Sequence, residues 1–103
     1  MNEAIARYQK LLGQYPNNEL ARFSLGKAYF DAEEYASARE QFQHALNRKP
    51  DWMAVQILIG KCELALGNQP AAKDAFERAR QLAIEQNHDG PREEMEQLLG
   101  ELQ

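Results

Sequence analysis

The chain has 103 residues, 44% of them hydrophobic and 27% charged, with a formal net charge of −4. This is enough for one domain with a modest core, and the acidic balance removes the electrostatic footprint of a nucleic-acid-binding protein. Cys62 is the only cysteine, which excludes an intrachain disulfide. No stretch approaches the ~18 apolar residues of a membrane span, and MNEAIARYQKLL lacks the apolar run of a signal peptide, so a soluble cytoplasmic protein is expected.

The first expected element is a helix over residues 2–14, with a stripe of Ile5, Tyr8, Leu12 and Tyr15. A second helix is expected at 18–31, where Asn18 can cap and apolar or small residues fall at helical spacing, among them Leu20, Ala21, Phe23, Leu25 and Ala28. Gly26 sits in its middle, at a cost of roughly 1 kcal/mol relative to Ala. The third, 35–48, has a narrower stripe of Tyr35, Ala38, Phe42, Ala45 and Leu46. Pro50 closes it, because the residue before proline avoids the α region. Asp51 can cap the fourth, 52–66, and GNQP (Gly67–Pro70) separates it from the fifth, 70–86, with a C-terminal glycine, a capping Asn68 and a first-turn proline. The sixth, 91–102, carries Met95, Leu98, Leu99 and Leu102, with Asp89 placed to cap and Pro91 in its first turn. No useful length alternates with period two, so the fold class is all-α.

One offset runs through these elements. Gly26 recurs as Gly60, thirty-four residues on, and the same step links Leu25 with Ile59, Lys27 with Lys61, Ala28 with Cys62 and Phe30 with Leu64. It links Ala4, Ala38 and Ala72, then Tyr8, Phe42 and Phe76, then Leu11, Ala45 and Ala79. Pro16 recurs as Pro50, and Ile84 breaks that series. A glycine kept at one place in two helices marks a close approach between helices, where a side chain would push them apart.

These residues resemble the tetratricopeptide repeat, a 34-residue helix–turn–helix unit. Residues 19–52 carry Leu25, Gly26, Tyr29, Ala38, Phe42, Ala45 and Pro50 at its signature places; residues 53–86 carry Ile59, Gly60, Ala72, Phe76 and Ala79. The second repeat departs at Glu63 and Ile84, where the family prefers Tyr and Pro, and Arg22 and Gln56 stand where Trp is common. Without the proline, the helix starting at Pro70 is expected to run on toward Asn87. The resemblance implies a single domain over 1–103: a half repeat at 2–16, repeats at 19–52 and 53–86, and a capping helix at 89–103 that matches the repeat poorly. The half-repeat start is similar to short stand-alone bacterial proteins of this family. Asp89, Glu93, Glu94, Glu96 and Glu101 against Arg92 place the whole net charge in the last segment, while residues 1–88 balance. A polar outer face suits the cap of a repeat stack.

Catalysis is not expected. Gly26-Lys27 and Gly60-Lys61 lack the upstream glycine and following hydroxyl of a phosphate loop, holding Ala21 with Ala28 and Val55 with Cys62 there instead. His44 and His88 are isolated, Cys62 reads as a small buried hydrophobe, and Ser24 and Ser37 lie in no nucleophile elbow. No cofactor or metal is expected. Basic residues near Trp52 (Arg48, Lys49), and Lys73, Arg78 and Arg80, are interleaved with acids and read as solvated faces rather than an RNA surface.

In the resembling family, the first helix of each repeat lines a concave groove. By position this implies Leu20, Phe23, Lys27, Phe30 and Asp31 from one repeat, and Ala54, Ile57, Lys61, Leu64 and Ala65 from the next. Phe23, Lys27 and Phe30 stand at i, i+4 and i+7 and share one helical face, as do Ile57, Lys61 and Leu64. An apolar groove with two aligned lysines suits a peptide, extended or helical, with hydrophobic anchors and an acidic group. The expected function is a non-catalytic protein–protein interaction adaptor, monomeric or weakly dimeric. The C-terminal helix or a second subunit could instead cover the groove, and the stripe on residues 2–14 allows a self-associating structural module. The carboxylate clamp of some family members is not expected, since only Lys27 among the matching places is basic. Trp52, at the junction between repeats, reads as a packing residue.

Overall fold

The computed structural model describes residues 2–102. It contains six α-helices: α1 (Glu3–Gln14), α2 (Glu19–Asp31), α3 (Tyr35–Arg48), α4 (Met53–Ala65), α5 (Gln69–Glu85) and α6 (Asp89–Glu101). Each packs against the next in chain order, giving an elongated body of 40 × 27 × 19 Å. The all-α solenoid follows from this succession of antiparallel neighbours.

Two kinds of turn alternate. At the ends of α1 and α3 the chain turns at equivalent places: Tyr15 N–H donates to the Leu11 carbonyl and Lys49 N–H to that of Ala45, just before Pro16 and Pro50. At the ends of α2 and α4 a left-handed residue closes the helix, Glu33 (φ 62°) in one and Gly67 (φ 82°) in the other. There Glu34 N–H reaches back to Tyr29 O and Asn68 N–H to Glu63 O, satisfying carbonyls that a helix end otherwise leaves orphaned. The α5–α6 junction uses this second kind. Asn87 (φ 59°) takes the left-handed place, and His88 N–H donates to Ala83 O. Ile84 is the cause: without a proline there, α5 continues to Glu85 and is 17 residues long, against 14 for α3.

Caps correct the sequence reading in part. Asn2 and Asn18 accept from first-turn amides as N-cap residues should. Asp51 and Asp89 do not cap; Trp52 and His88 occupy those N-cap places, and Asp89 lies inside the first turn of α6, where its charge meets the positive helix end. Asn68 sits at the N-cap of α5 without capping it, because its amide donates to Glu63 instead.

The core is one motif used three times. Ala21, Leu25 and Ala28 of α2 pack with α1; Val55, Ile59 and Cys62 of α4 pack with α3; Met95, Leu99 and Leu102 of α6 pack with α5. Spacing i, i+4, i+7 is shared by all three, so α6 packs as α2 and α4 do. Its register is displaced by the longer α5, which hid this likeness from the 34-residue offset. The pivots are Phe42 and Phe76, both 0% exposed. A Cβ built on Gly26 would lie 2.6 Å from Phe42 Cε1, and one on Gly60 would lie 2.6 Å from Phe76 Cδ1. The glycines leave room for each ring to press directly against the backbone of a helix.

Candidate functional site

Lys27 and Lys61 occupy equivalent places on α2 and α4, each partly exposed, and neither is held in an ion pair among the described residues. Around them Leu20 is 71% exposed, and Asp31, Ala54, Leu64 and Ala65 are exposed as well. An open depression of ≈ 350 Å³ at the α1–α2 side is lined by Tyr8, Phe23, Ser24, Lys27 and Asp31.

The aromatic residues expected to floor the groove have a second occupation. Phe23 stacks on Trp52 with ring centroids 5.1 Å apart and tilts against Phe42 at 6.0 Å. Phe30 meets Tyr35 edge-on at 5.3 Å. Ile57 packs against the cluster of Ala72, Phe76, Ala79 and Met95. Each is half-buried, so the exposed apolar area comes more from Leu20, Ala54 and Leu64 than from the rings. Trp52 is a packing residue, with Lys49 Nζ 5.5 Å from its ring centroid. The C-terminal helix packs on α5 and extends the stack.

Between α3 and α4, Arg39 Nη1 donates to Glu63 at 2.6 Å, and Asn68 Nδ2 donates to the same oxygen at 3.1 Å. Burial pushes the Glu63 carboxyl up, but these two hydrogen bonds and the Arg39 charge outweigh it and hold it below the usual carboxylate range. Cys62, beside it, is fully buried. Burial first, then the Glu63 charge, push its thiol up to about 11 against the opposing pull of Arg39, so it stays a neutral thiol at physiological pH. Among the described residues no group of three or more His, Cys, Asp or Glu is placed to hold a metal ion, and no helix is long and apolar enough to cross a membrane. Sequence reasoning noted Glu63 only as a departure from the repeat. Its role as the acceptor joining two helices had no signal beyond the arginine and asparagine that reach it.

Stacked antiparallel helix pairs pivoting on glycine–phenylalanine contacts define a helical-repeat protein with an exposed face built from successive helices. The chain belongs to the tetratricopeptide repeat family, whose description matches residues 1–62. It is 34% identical over 88 residues to the TPR repeat-containing protein PA0015 of Pseudomonas aeruginosa, covering 85% of this chain and 82% of that protein. Among solved structures it is similar to protein BPP2914 of Bordetella parapertussis, with a TM-score of 0.86, 26% identity and coverage of 99% of this chain and 89% of that one. It is also similar to PcrH of Pseudomonas aeruginosa in complex with the chaperone binding region of PopD, with a TM-score of 0.87, 19% identity and coverage of 95% and 74%.

Proposed function

We propose that the chain is a non-catalytic interaction adaptor that holds a segment of a partner protein on the concave face formed by α2 and α4. The observation that carries this reading is the pair Lys27 and Lys61, repeated at equivalent places, held in no ion pair among the described residues, beside the exposed Leu20, Ala54 and Leu64. Phe23, Phe30 and Ile57 give this face a half-buried apolar backing, and Asp31 borders it. A segment with small hydrophobic anchors and a carboxylate spaced to meet both lysines fits this chemistry, since opposite charge supplies orientation and apolar contact supplies affinity. The structure of PcrH with the chaperone binding region of PopD supports the reading by showing a protein of this fold holding part of a partner. Residues 1–103 are proposed to act as one unit, with a half repeat, two full repeats and a closing helix.

The test is binding of a library of labelled acidic amphipathic peptides to the wild type and to a Lys27→Glu/Lys61→Glu double variant. Peptides selected by the wild type are expected to lose at least about tenfold in affinity, equivalent to ~1.4 kcal/mol, and to weaken as salt is raised. Equal affinity for both proteins removes this face from the proposal.

A further inference from the structure

The core fixes the register in which α6 compares with the two helices that carry the lysines. Ala21, Leu25 and Ala28 of α2 correspond to Val55, Ile59 and Cys62 of α4, and these to Met95, Leu99 and Leu102 of α6. The neighbouring helices agree: Phe23 of α2 packs against the α3–α4 cluster, and Ile57 of α4 packs in the same way against the α5–α6 cluster. In this register the places of Leu20 and Lys27, and of Ala54 and Lys61, fall on Glu94 and Glu101. The place of Phe23 and Ile57 falls on Gln97, and all three α6 residues are exposed. One face therefore reverses its charge along the stack. On α2 it shows Lys27, with Asp31 one turn on; on α4 it shows Lys61, with the neutral Ala65 at that place; on α6 it shows two carboxylates. Nothing within the described residues compensates them. Glu96 is paired with Arg80 and Arg92, whereas Glu94 and Glu101 hold no ion pair among the described residues, and no base stands three or four residues from either along α6. Glu101 also lies in the last turn of α6, where the negative helix end disfavours a carboxylate.

We propose that this face selects a bipolar segment of a partner protein and fixes its direction, with the acidic end over Lys27 and Lys61 and a lysine- or arginine-bearing end over Glu94 and Glu101. The proposal rests on the adaptor reading above and narrows its partner from an acidic segment to one whose charges are divided between its two ends. Apolar anchors belong to the acidic half, because Leu20, Ala54 and Leu64 lie beside the lysines while α6 offers Gln97 in place of an apolar residue. A wholly acidic segment meets like charge at α6. A bipolar segment laid the other way meets like charge at both ends. Such juxtapositions reject the wrong partner and the wrong register more strongly than the matched charges add affinity.

Two synthetic peptides of one length with the same apolar residues test this on the full chain, one with glutamates at one end and lysines at the other, the second with glutamates at both ends. The wild type is expected to bind the bipolar peptide at least about tenfold more tightly. Glu94→Lys/Glu101→Lys is expected to reverse that preference. Glu40→Lys/Glu77→Lys, which changes the net charge equally at exposed places on α3 and α5, is expected to keep it. A nitroxide on the glutamate end of the bipolar peptide should broaden amide signals of α2, and one on the lysine end those of α6. Should Glu94→Lys/Glu101→Lys lose its helical circular dichroism, Glu94→Gln/Glu101→Gln replaces it and is expected to abolish the preference without reversing it. Equal affinity of the wild type for the two peptides, a preference that survives the α6 substitutions, a control that reverses it as they do, or a lysine-end nitroxide that broadens α2 each overturn the proposal. Equal binding of both peptides that is lost in Lys27→Glu/Lys61→Glu overturns it while leaving the adaptor reading in place. Binding of neither peptide removes both.

Discussion

At the scale of single residues, the same amino acid answers to different constraints. Gly26 and Gly100 both lie in helices, and replacing either by alanine improves intrinsic helix propensity by up to ~1 kcal/mol. At Gly26 the added methyl meets Phe42, which is 0% exposed and has no room to retreat. Overpacking of this kind typically costs about 1–3 kcal/mol, so Gly26→Ala is expected to be net destabilising by ~1–2 kcal/mol. At Gly100 no such neighbour lies within 4 Å among the described residues, and Gly100→Ala is expected to be neutral or stabilising by up to ~1 kcal/mol. Urea unfolding midpoints of the two variants should therefore move in opposite directions; a Gly26→Ala variant as stable as the wild type would show that the ring contact is not what keeps the glycine. The recurrence of Gly26 as Gly60 was legible in the sequence together with its reason. The identity of the ring beneath was not, because Phe42 is sixteen residues away and several aromatics compete for the place.

At the scale of elements, the junction between α3 and α4 is held by more than apolar packing. Arg39 and Asn68 both donate to Glu63, whose side chain is 15% exposed. Because the folded carboxyl titrates below its unfolded value, this junction contributes stability that is fully present above the unfolded value of about 4.3 and is lost as pH falls through the lower folded one. Glu63→Gln cannot ionise and is expected to flatten that part of the stability-against-pH profile, while being less stable than the wild type at neutral pH. A variant whose profile retains the acid limb unchanged assigns the limb to other carboxylates. The element boundaries were read within two residues throughout, since prolines, glycines and apolar spacing mark them. The likeness of α6 to α2 and α4 was not. The offset of thirty-four fails there because Ile84 lets α5 lengthen, and only the packing of Met95, Leu99 and Leu102 on α5 restores the correspondence.

At the scale of the whole molecule, a stack in which each helix meets its chain neighbours has stability distributed along one dimension. Its centre, around Phe42, Val55, Ile59 and Cys62, is buried on both sides, whereas Ala4, Tyr8 and Leu11 of α1 pack against the α1–α2 cluster and are only partly buried. Amide hydrogen exchange is expected to be fastest in α1, slower in α6 and slowest in α3 and α4. Uniform protection across all six helices would mean that the molecule opens only as a single cooperative unit.

The sequence by itself determined the helices, their number and the family, because apolar spacing, proline and glycine punctuation and a 34-residue echo are local or periodic and need no third dimension. It also placed Lys27 and Lys61 at equivalent positions, since equal offsets on equal helices carry side chains to equal places. Tertiary structure alone decided how much of Phe23, Phe30 and Ile57 is left for a partner, because burial depends on what Trp52, Tyr35 and Met95 bring from other helices. It alone decided which ring Gly26 and Gly60 each lie against, Phe42 and Phe76. Gly26 and Gly60 each meet a phenylalanine from the next helix, a contact that spans sixteen residues of chain and is set by how the helices pack.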